Sequence, residues 1–338
     1  IISAGYTRII EEFPAGGGGY LVATKLLGEK IGAISGCALL VDYVLTITVS
    51  IAAAGDALFS FLPPWWATMK LPLEVALLLG LTVINIRGVR ESVIALMPIF
   101  LLFLATHAIL IVGGFIGHAP QLGETLKVAG EGYESGLVTL GVGGMFLLFM
   151  HAYSLGGGTY TGIEAVSNGL SIMREPRVQT AKRTMVLMSV SLAITAVGLL
   201  VLYLLWDVTH EPGKTMNAVL VEKFVGDTPY GGVFVALPLF TEAAVLIVAA
   251  PAGVLGGPRV LSNMAVDSWA PQRVAALSDR LTTANGIVLM GLASLAGLLY
   301  TQGNVRIIVV MYSINVFLTF ALAMLGMALL WWGRRKIR

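Results

Sequence analysis

The chain has 338 residues, 57% of them hydrophobic and only 12% charged, with a formal net charge of +2 at pH 7. Soluble domains carry about 25% charged residues, so a water-soluble fold is excluded, and a near-neutral chain without a basic tract interleaved with aromatics offers nothing to a nucleic acid. A mean hydropathy of +0.87 and 40 glycines describe instead an all-α polytopic membrane protein in a lipid bilayer, where small residues let helix backbones approach closely.

The chain opens on Ile1 with no methionine, basic segment or cleavage signal, and residues 1–13 read as the end of a hydrophobic helix whose beginning lies upstream. The glycines at 16–19 follow Pro14 and no strand, so they read as a helix-ending loop and not a phosphate cradle. Eight apolar stretches then approach the ~20 residues that cross a bilayer: 31–62, 72–86, 93–112, 136–173, 185–206, 231–257, 287–300 and 307–332. Two intervening segments read as surface caps: 118–135, with Glu124, Glu131 and Glu134, and 207–230, with an amphipathic stretch at 216–224.

Segment 136–173 is too long for one straight span at ~1.5 Å per residue and is interrupted by Gly156, Gly157 and Gly158, followed by Thr159, Tyr160 and Thr161. Irregular backbone at membrane depth is tolerated only where protein buries it or it lines a cavity. Discontinuous helices of this kind build substrate sites in secondary transporters; the alternative is a glycine-lined helix crossing without a ligand.

Charge sets the expected topology. With alternating spans, one set of connections holds the basic residues of 25–30, 87–90, 174–183, 259–280 and 334–338, and the other only Lys70, Lys127, Lys214 and Lys223. The positive-inside rule then predicts nine spans, counting the truncated first, with the end at Arg338 in the cytoplasm.

A carboxylate near the bilayer centre costs ~2.5–3.5 kcal/mol on insertion scales, which singles out Asp42 and Glu164. Asp42 shares a helix face with Thr46 one turn on and stands beside Tyr43, and Thr161 shares a face with Glu164 at i, i+3. Hard, negatively charged oxygen donors suit a cation better than the carboxylate of an amino acid, and Tyr312 can add a further oxygen. The alternatives are an interhelical hydrogen-bond pair for the two acids and packing roles for the tyrosines. Glu242, after Pro238, is a second candidate for proton handling, and Asp56 lies near the outer end of its span within reach of interfacial water. His107 and His151 read as satisfied core histidines. There is no His-Glu-x-x-His, no Gly-x-Ser-x-Gly and no Walker loop, and the single Cys37 has no cysteine or histidine cluster around it, so neither an enzyme nor a cofactor is expected.

Three ordered motifs carry a resemblance. The run Gly5-Tyr6-Thr7-Arg8-Ile9-Ile10-Glu11-Glu12-Phe13-Pro14 with its glycines resembles the end of the second helix of the amino acid-polyamine-organocation transporter superfamily. The stretch from Glu164 to Met173-Arg174-Glu175-Pro176-Arg177 and on to Arg183 looks like its linker between helices six and seven, and Pro258-Arg259-Val260-Leu261 through Asp267 to Pro271 its loop after helix eight. The resemblance implies a LeuT-like five-plus-five inverted repeat with discontinuous helices, of which residues 1–338 form one transmembrane unit carrying helices two to ten: a truncated helix two at 1–13 and helices three to ten over about 31–332. Within the superfamily, Gly158 to Gly169 together with Asp42, Tyr43 and Thr46 is similar to the KUP group of bacterial potassium importers. That similarity implies potassium and proton symport in the cell membrane, an ion site at Asp42, Tyr43, Thr46, Thr161, Glu164 and Tyr312, Glu164 as the group that couples protons, and a homodimer of the full-length protein. Other readings left open are a proton-coupled amino acid or polyamine permease of the same superfamily, an ion channel, and a membrane sensor that moves no substrate.

Overall fold

Lipid offers no partner to a backbone N–H or C=O, so a spanning segment must pair these groups within itself, and every regular element described is helical. The structure, a computed structural model, describes residues 2–14, 16, 18–88, 93–157, 162–170, 173–226, 231–276 and 283–337, with backbone alone at 93–95 and 335–337. In chain order the α-helices are α1 (Ile2–Glu12), α2 (Gly18–Leu27), α3 (Glu29–Phe59), α4 (Lys70–Ile86), α5 (Val93–His118), α6 (Leu122–Leu155), α7 (Ile163–Asn168), α8 (Arg177–Leu205), α9 (Met216–Val225), α10 (Gly231–Val266), α11 (Ala284–Thr301) and α12 (Val305–Ile337).

Seven stretches among the described residues are long and apolar enough to cross a membrane. The expected eight became seven because Leu96–Leu155, 60 residues, runs through both α5 and α6 across a short 3-10 turn at Ala119–Gln121. The distribution of polarity is that of a membrane bundle. Large apolar side chains such as Val138, Val142, Leu187 and Ile314 are exposed, whereas Asp42, Thr46, Ser50, Glu74, Glu164 and Thr319 are buried, the reverse of a water-soluble core.

Helix α3 is the axis of the bundle. It packs most extensively on α10 and then on α12, α2, α11 and α4. The α3–α10 approach is close because α10 presents glycines: a methyl added at Gly253 would meet Tyr43 O at 2.8 Å and Ile47 Cγ1 at 2.7 Å. A second apolar cluster joins Leu110 of α5, Leu202 and Leu205 of α8 and Val219 to Val221 of α9. Helix α9 is the amphipathic cap expected from sequence. Thr215 Oγ1 accepts from Ala218 N at its start, and Thr215 N donates to Ser60 Oγ at 3.0 Å, tying the cap to the end of α3. In the loop before it, a hydrogen bond to Glu222, with Glu211 close by, holds the Lys214 ammonium above its usual range.

Three sequence expectations are corrected. Residues 122–135 form the first turns of α6 and not a capping loop; their helix formers include the i, i+4 pair Lys127–Glu131 at 3.8 Å. Pro258 does not end α10, which continues to Val266. Buried Val260, Leu261, Met264 and Ala265 hold that last stretch, and Ser262 Oγ donates to the Pro258 carbonyl at 2.8 Å, so packing outweighs the lost backbone bond. Helix α2 starts at Gly18, inside the run expected to be a loop.

Overpacking a close helix crossing costs ~1–3 kcal/mol. Gly253→Val is expected to lower the thermal stability of the purified protein in detergent by that amount, because the added methyl would press on the Tyr43 carbonyl as well as on Ile47, while the same change at Gly80, which meets nothing within 4 Å, leaves the melting temperature unchanged.

Candidate functional site

The glycine break does what its composition suggests. Helix α6 ends at Leu155 with Gly156 as its cap, and α7 begins at Ile163 after Gly162, whose φ of +94° is left-handed backbone that favours glycine. Gly157 is buried where a methyl would press on Phe317 and Val316 of α12 at 3.1 and 3.2 Å. Gly158 and Thr161 lie outside the described residues. A second break, not expected from sequence, sits at Gly141, with φ 68° and ψ 173° inside α6; an isolated glycine flanked by further glycines gave no sign of which one would leave the helix.

Helices α3, α7 and α12 bring five of the six expected ion-site residues to one cavity. Its lining includes Asp42, Tyr43 and Thr46 of α3, Glu164 of α7 and Tyr312 of α12, with Ala252 and Gly253 of α10 closing one side. The space open to the centre of a water molecule is about 20 Å³. A single water needs roughly 10–15 Å³ by the same measure, so the cavity in this conformation is of the size of one or two waters or a small ion.

Within this cavity the two acids are short of donors. Asp42 and Glu164 are each 6% exposed. Glu164 Oε1 accepts from Gly19 N at 3.2 Å, the second residue of α2, where free amides and the helix dipole favour negative charge. Glu164 Oε2 and Asp42 Oδ1 have no hydrogen-bond partner among the described residues. The two carboxyls act on each other electrostatically, as does the buried hydroxyl of Tyr6 from α1. Tyr43 Oη accepts from Asn168 Nδ2 at 2.6 Å, which ties α3 to the end of α7. Among the described residues no group of three His, Cys, Asp or Glu side chains could hold a metal ion. Two carboxyls and the hydroxyls around them are hard oxygen donors, suited to a hard cation or to protons.

Three contributors escaped sequence reasoning. Tyr6 and Gly19 lay inside motifs noted for other reasons, and Asn168 stands four residues after Glu164, a spacing that places both on one helix face. Glu242 is elsewhere. Its Oε2 accepts from Asn217 Nδ2 of α9 at 3.1 Å, and Asn217 Oδ1 in turn accepts from Tyr203 Oη of α8 at 2.5 Å. His107 is a satisfied buried histidine, its Nδ1 3.0 Å from Phe103 O; His151 is exposed, against expectation. Asp56 is ion-paired with Lys70 and not simply hydrated.

At the end of the bundle that carries the basic residues, Lys182 of α8 pairs with Glu11, Arg334 of α12 with Glu12 at 2.6 Å, and Tyr20 Oη donates to Asp267 Oδ2 at 2.5 Å. These ties fasten α1 and α2 to the neighbouring helices below the cavity.

A family model described as amino acid permease matches residues 7–338. The chain is also similar to the potassium transporter KimA of Bacillus subtilis (strain 168), at 32% identity over 327 residues, which is 96% of this chain and 52% of that protein. The chain thus spans about half the length of that relative.

A buried acceptor without a donor costs ~1–3 kcal/mol, more when charged. Glu164→Gln, which supplies its own donors, is therefore expected to stabilise the purified protein by an amount in that range, seen as a higher melting temperature, whereas Gly19→Ala, whose methyl would sit 2.7 Å from Glu164 Oε1, lowers it.

Proposed function

The chain belongs to the amino acid permease family, whose members are membrane transporters and not enzymes, and we propose that the full-length protein imports potassium by potassium/proton symport across the cell membrane. The observation that carries this reading is the small cavity on which Asp42, Tyr43, Thr46, Glu164 and Tyr312 converge. Its size suits an ion stripped of most of its water and leaves no room for an amino acid in this conformation. The similarity to a protein named as a potassium transporter supports the same choice of substrate.

In this reading residues 1–338 are one transmembrane unit of a five-plus-five inverted repeat. Helices α1, α3, α4, α5, the broken pair α6 and α7, α8, α10, α11 and α12 stand for helices two to ten. The third and eighth helices of such a repeat are counterparts, and α3 and α10 form the most extensive contact in the bundle. The excess of Lys and Arg at the end bearing Arg174, Lys182 and Arg334 supports a cytoplasmic location for that end, and exposed Trp65 and Trp66 beyond α3 suit the opposite interface. The full-length protein is proposed to form a homodimer, as the family resemblance implies.

Potassium is the cargo. Asp42 and Thr46 hold it from α3, Glu164 and Tyr312 from α7 and α12, and Thr161 joins them from the segment between. Two buried carboxylates repel one another, and a bound cation offsets that repulsion and favours their ionised forms. When the cation leaves, a proton on Glu164 removes the uncompensated charge. The bundle then rocks about the site to expose it to the other side. Cation and proton compete for Glu164, so symport requires a second proton-carrying group or a proton that moves at a different step. Glu242, held by Asn217 and Tyr203, was the candidate visible in sequence.

A permease for an amino acid or polyamine is the second reading, favoured by the description of the matching family. Rubidium uptake into bacteria lacking potassium import, expressing the full-length protein, separates the two. Saturable uptake that collapses with a proton uncoupler and ignores excess amino acids is expected. Asp42→Asn should weaken the half-saturating rubidium concentration by ~10-fold or more, the loss of roughly 1.4 kcal/mol of ion binding, and Glu164→Gln should make residual uptake indifferent to the uncoupler. Uptake of a labelled amino acid in place of rubidium would return the site to an organic substrate.

A further inference from the structure

Glu74 of α4 is the most completely enclosed carboxylate of the described residues, and neither the motifs nor the cavity account for it. Its side chain is 0% exposed, and neither Oε1 nor Oε2 has a hydrogen-bond partner among the described residues. The carboxyl is slotted between two glycines: a methyl at Gly55 of α3, or at Gly303 in the turn between α11 and α12, would overlap its oxygens. Such a slot has no room for a metal ion beside the carboxyl, but a proton needs none.

The charged neighbours are few. From its own helix, Lys70 Nζ lies 3.7 Å from Glu74 Oε1, beyond hydrogen-bond reach, because the ammonium is committed to Asp56 Oδ1 of α3. The α11–α12 turn offers Lys70 the Gly303 carbonyl at 3.5 Å, and α11 contributes no acidic or basic side chain. Lys70 and Asp56 are the charged groups that act on Glu74. One ammonium therefore serves two carboxyls, and it sits against the more exposed of them: Lys70 is 25% and Asp56 34% exposed.

We propose that Glu74 is a proton-binding site distinct from the central cavity, reached from the outer surface past Asp56 and Lys70, and that it is the second proton-carrying group symport requires. This rests on the potassium/proton reading for its role in transport, though not for proton binding itself. The step is simple in its atoms. A proton from water or buffer at the surface forms an O–H bond on Glu74, converting carboxylate to carboxylic acid, and release reverses it. When Glu74 is ionised, Lys70 is shared by two carboxylates and draws α3, α4 and the α11–α12 turn together; when it is protonated, Lys70 belongs to Asp56 alone. Asp56 and Asp42 lie on the same rigid helix, fourteen residues or roughly 21 Å apart, so the state of Glu74 acts on the element that carries half of the ion site. Glu242 fits the role less well, because Asn217 already supplies it with a donor.

The test is infrared difference spectroscopy between acid and alkaline medium on the full-length protein in liposomes, with rubidium uptake beside it. The wild-type protein is expected to show a protonated-carboxyl C=O band that Glu74→Gln removes and Glu74→Asp retains. Lys70→Met should keep the band and move its midpoint to higher pH by on the order of one unit, as loss of a neighbouring opposite charge does; a merely structural Glu74 would not respond. Rubidium uptake by Glu74→Gln should lose its dependence on external pH while still saturating. A band that survives Glu74→Gln, or a midpoint that ignores Lys70→Met, overturns the proposal. Failure of the wild-type protein to take up rubidium at all would defeat the potassium reading, and the infrared bands would still decide whether Glu74 binds a proton.

Discussion

Two carboxyl groups held in a low-dielectric interior, with the Gly19 amide as a backbone donor to one of them and the Tyr6 hydroxyl close by, organise this protein. Moving a carboxylate out of water costs several kcal/mol even after relaxation, and Asp42 and Glu164 lie within each other's field. The surrounding elements are arranged to make that tolerable. Helix α2 turns its second amide, Gly19 N, onto Glu164; the break before α7 lifts Glu164 off a continuous helix and points it at α3; and Asn168 fixes the far end of α7 through Tyr43. Glu164 Oε2 and Asp42 Oδ1 have no hydrogen-bond partner among the described residues, and both side chains line the cavity.

The same constraint explains where the bundle is tight and where it is irregular. A low-dielectric surround strengthens the attraction of two carboxylates for a cation or a proton as well as their mutual repulsion, and α3 and α10 approach closely enough for Gly253 to rest on the Tyr43 carbonyl. Prolines at 238, 251 and 258 each remove one backbone donor from α10, yet the helix stays continuous, because its buried residues, among them Leu239, Val254, Val260 and Leu261, hold it against its neighbours. By contrast α6 buries none of its residues and bends at Gly141.

Much of the site was legible in sequence for a physical reason. An acid inside an apolar run is costly enough to demand an explanation, so Asp42 and Glu164 announced themselves, and the glycines at 156–158 marked a break because no straight helix of that length fits a bilayer. Helical spacing then attached Thr46 to Asp42. Glu74 was missed for the converse reason. It stands four residues after Lys70 near the start of its span, the spacing of an ordinary exposed ion pair, and nothing local shows that Gly55 and Gly303, 19 residues before and 229 after it, enclose it. Glu242 attracted notice from its apolar surroundings, but its partner Asn217 comes from a different helix and takes it away from the cavity.

By itself, the sequence determined the helical, membrane-spanning character of the chain, the existence of a broken segment and the identity of its two central acids, since each follows from composition or from a cost paid by a residue in its own segment. Tertiary structure alone decided that α3, α7 and α12 converge on one small cavity, that Tyr6, Gly19 and Asn168 act on the residues lining it, that Glu74 is enclosed between Gly55 and Gly303, and that Glu242 lies away from the cavity. Those outcomes depend on contacts between different helices, some more than a hundred positions apart in the chain, such as Gly19 with Glu164 and Tyr43 with Asn168. Periodicity and local hydropathy report which face of a helix is buried, and only packing determines against what.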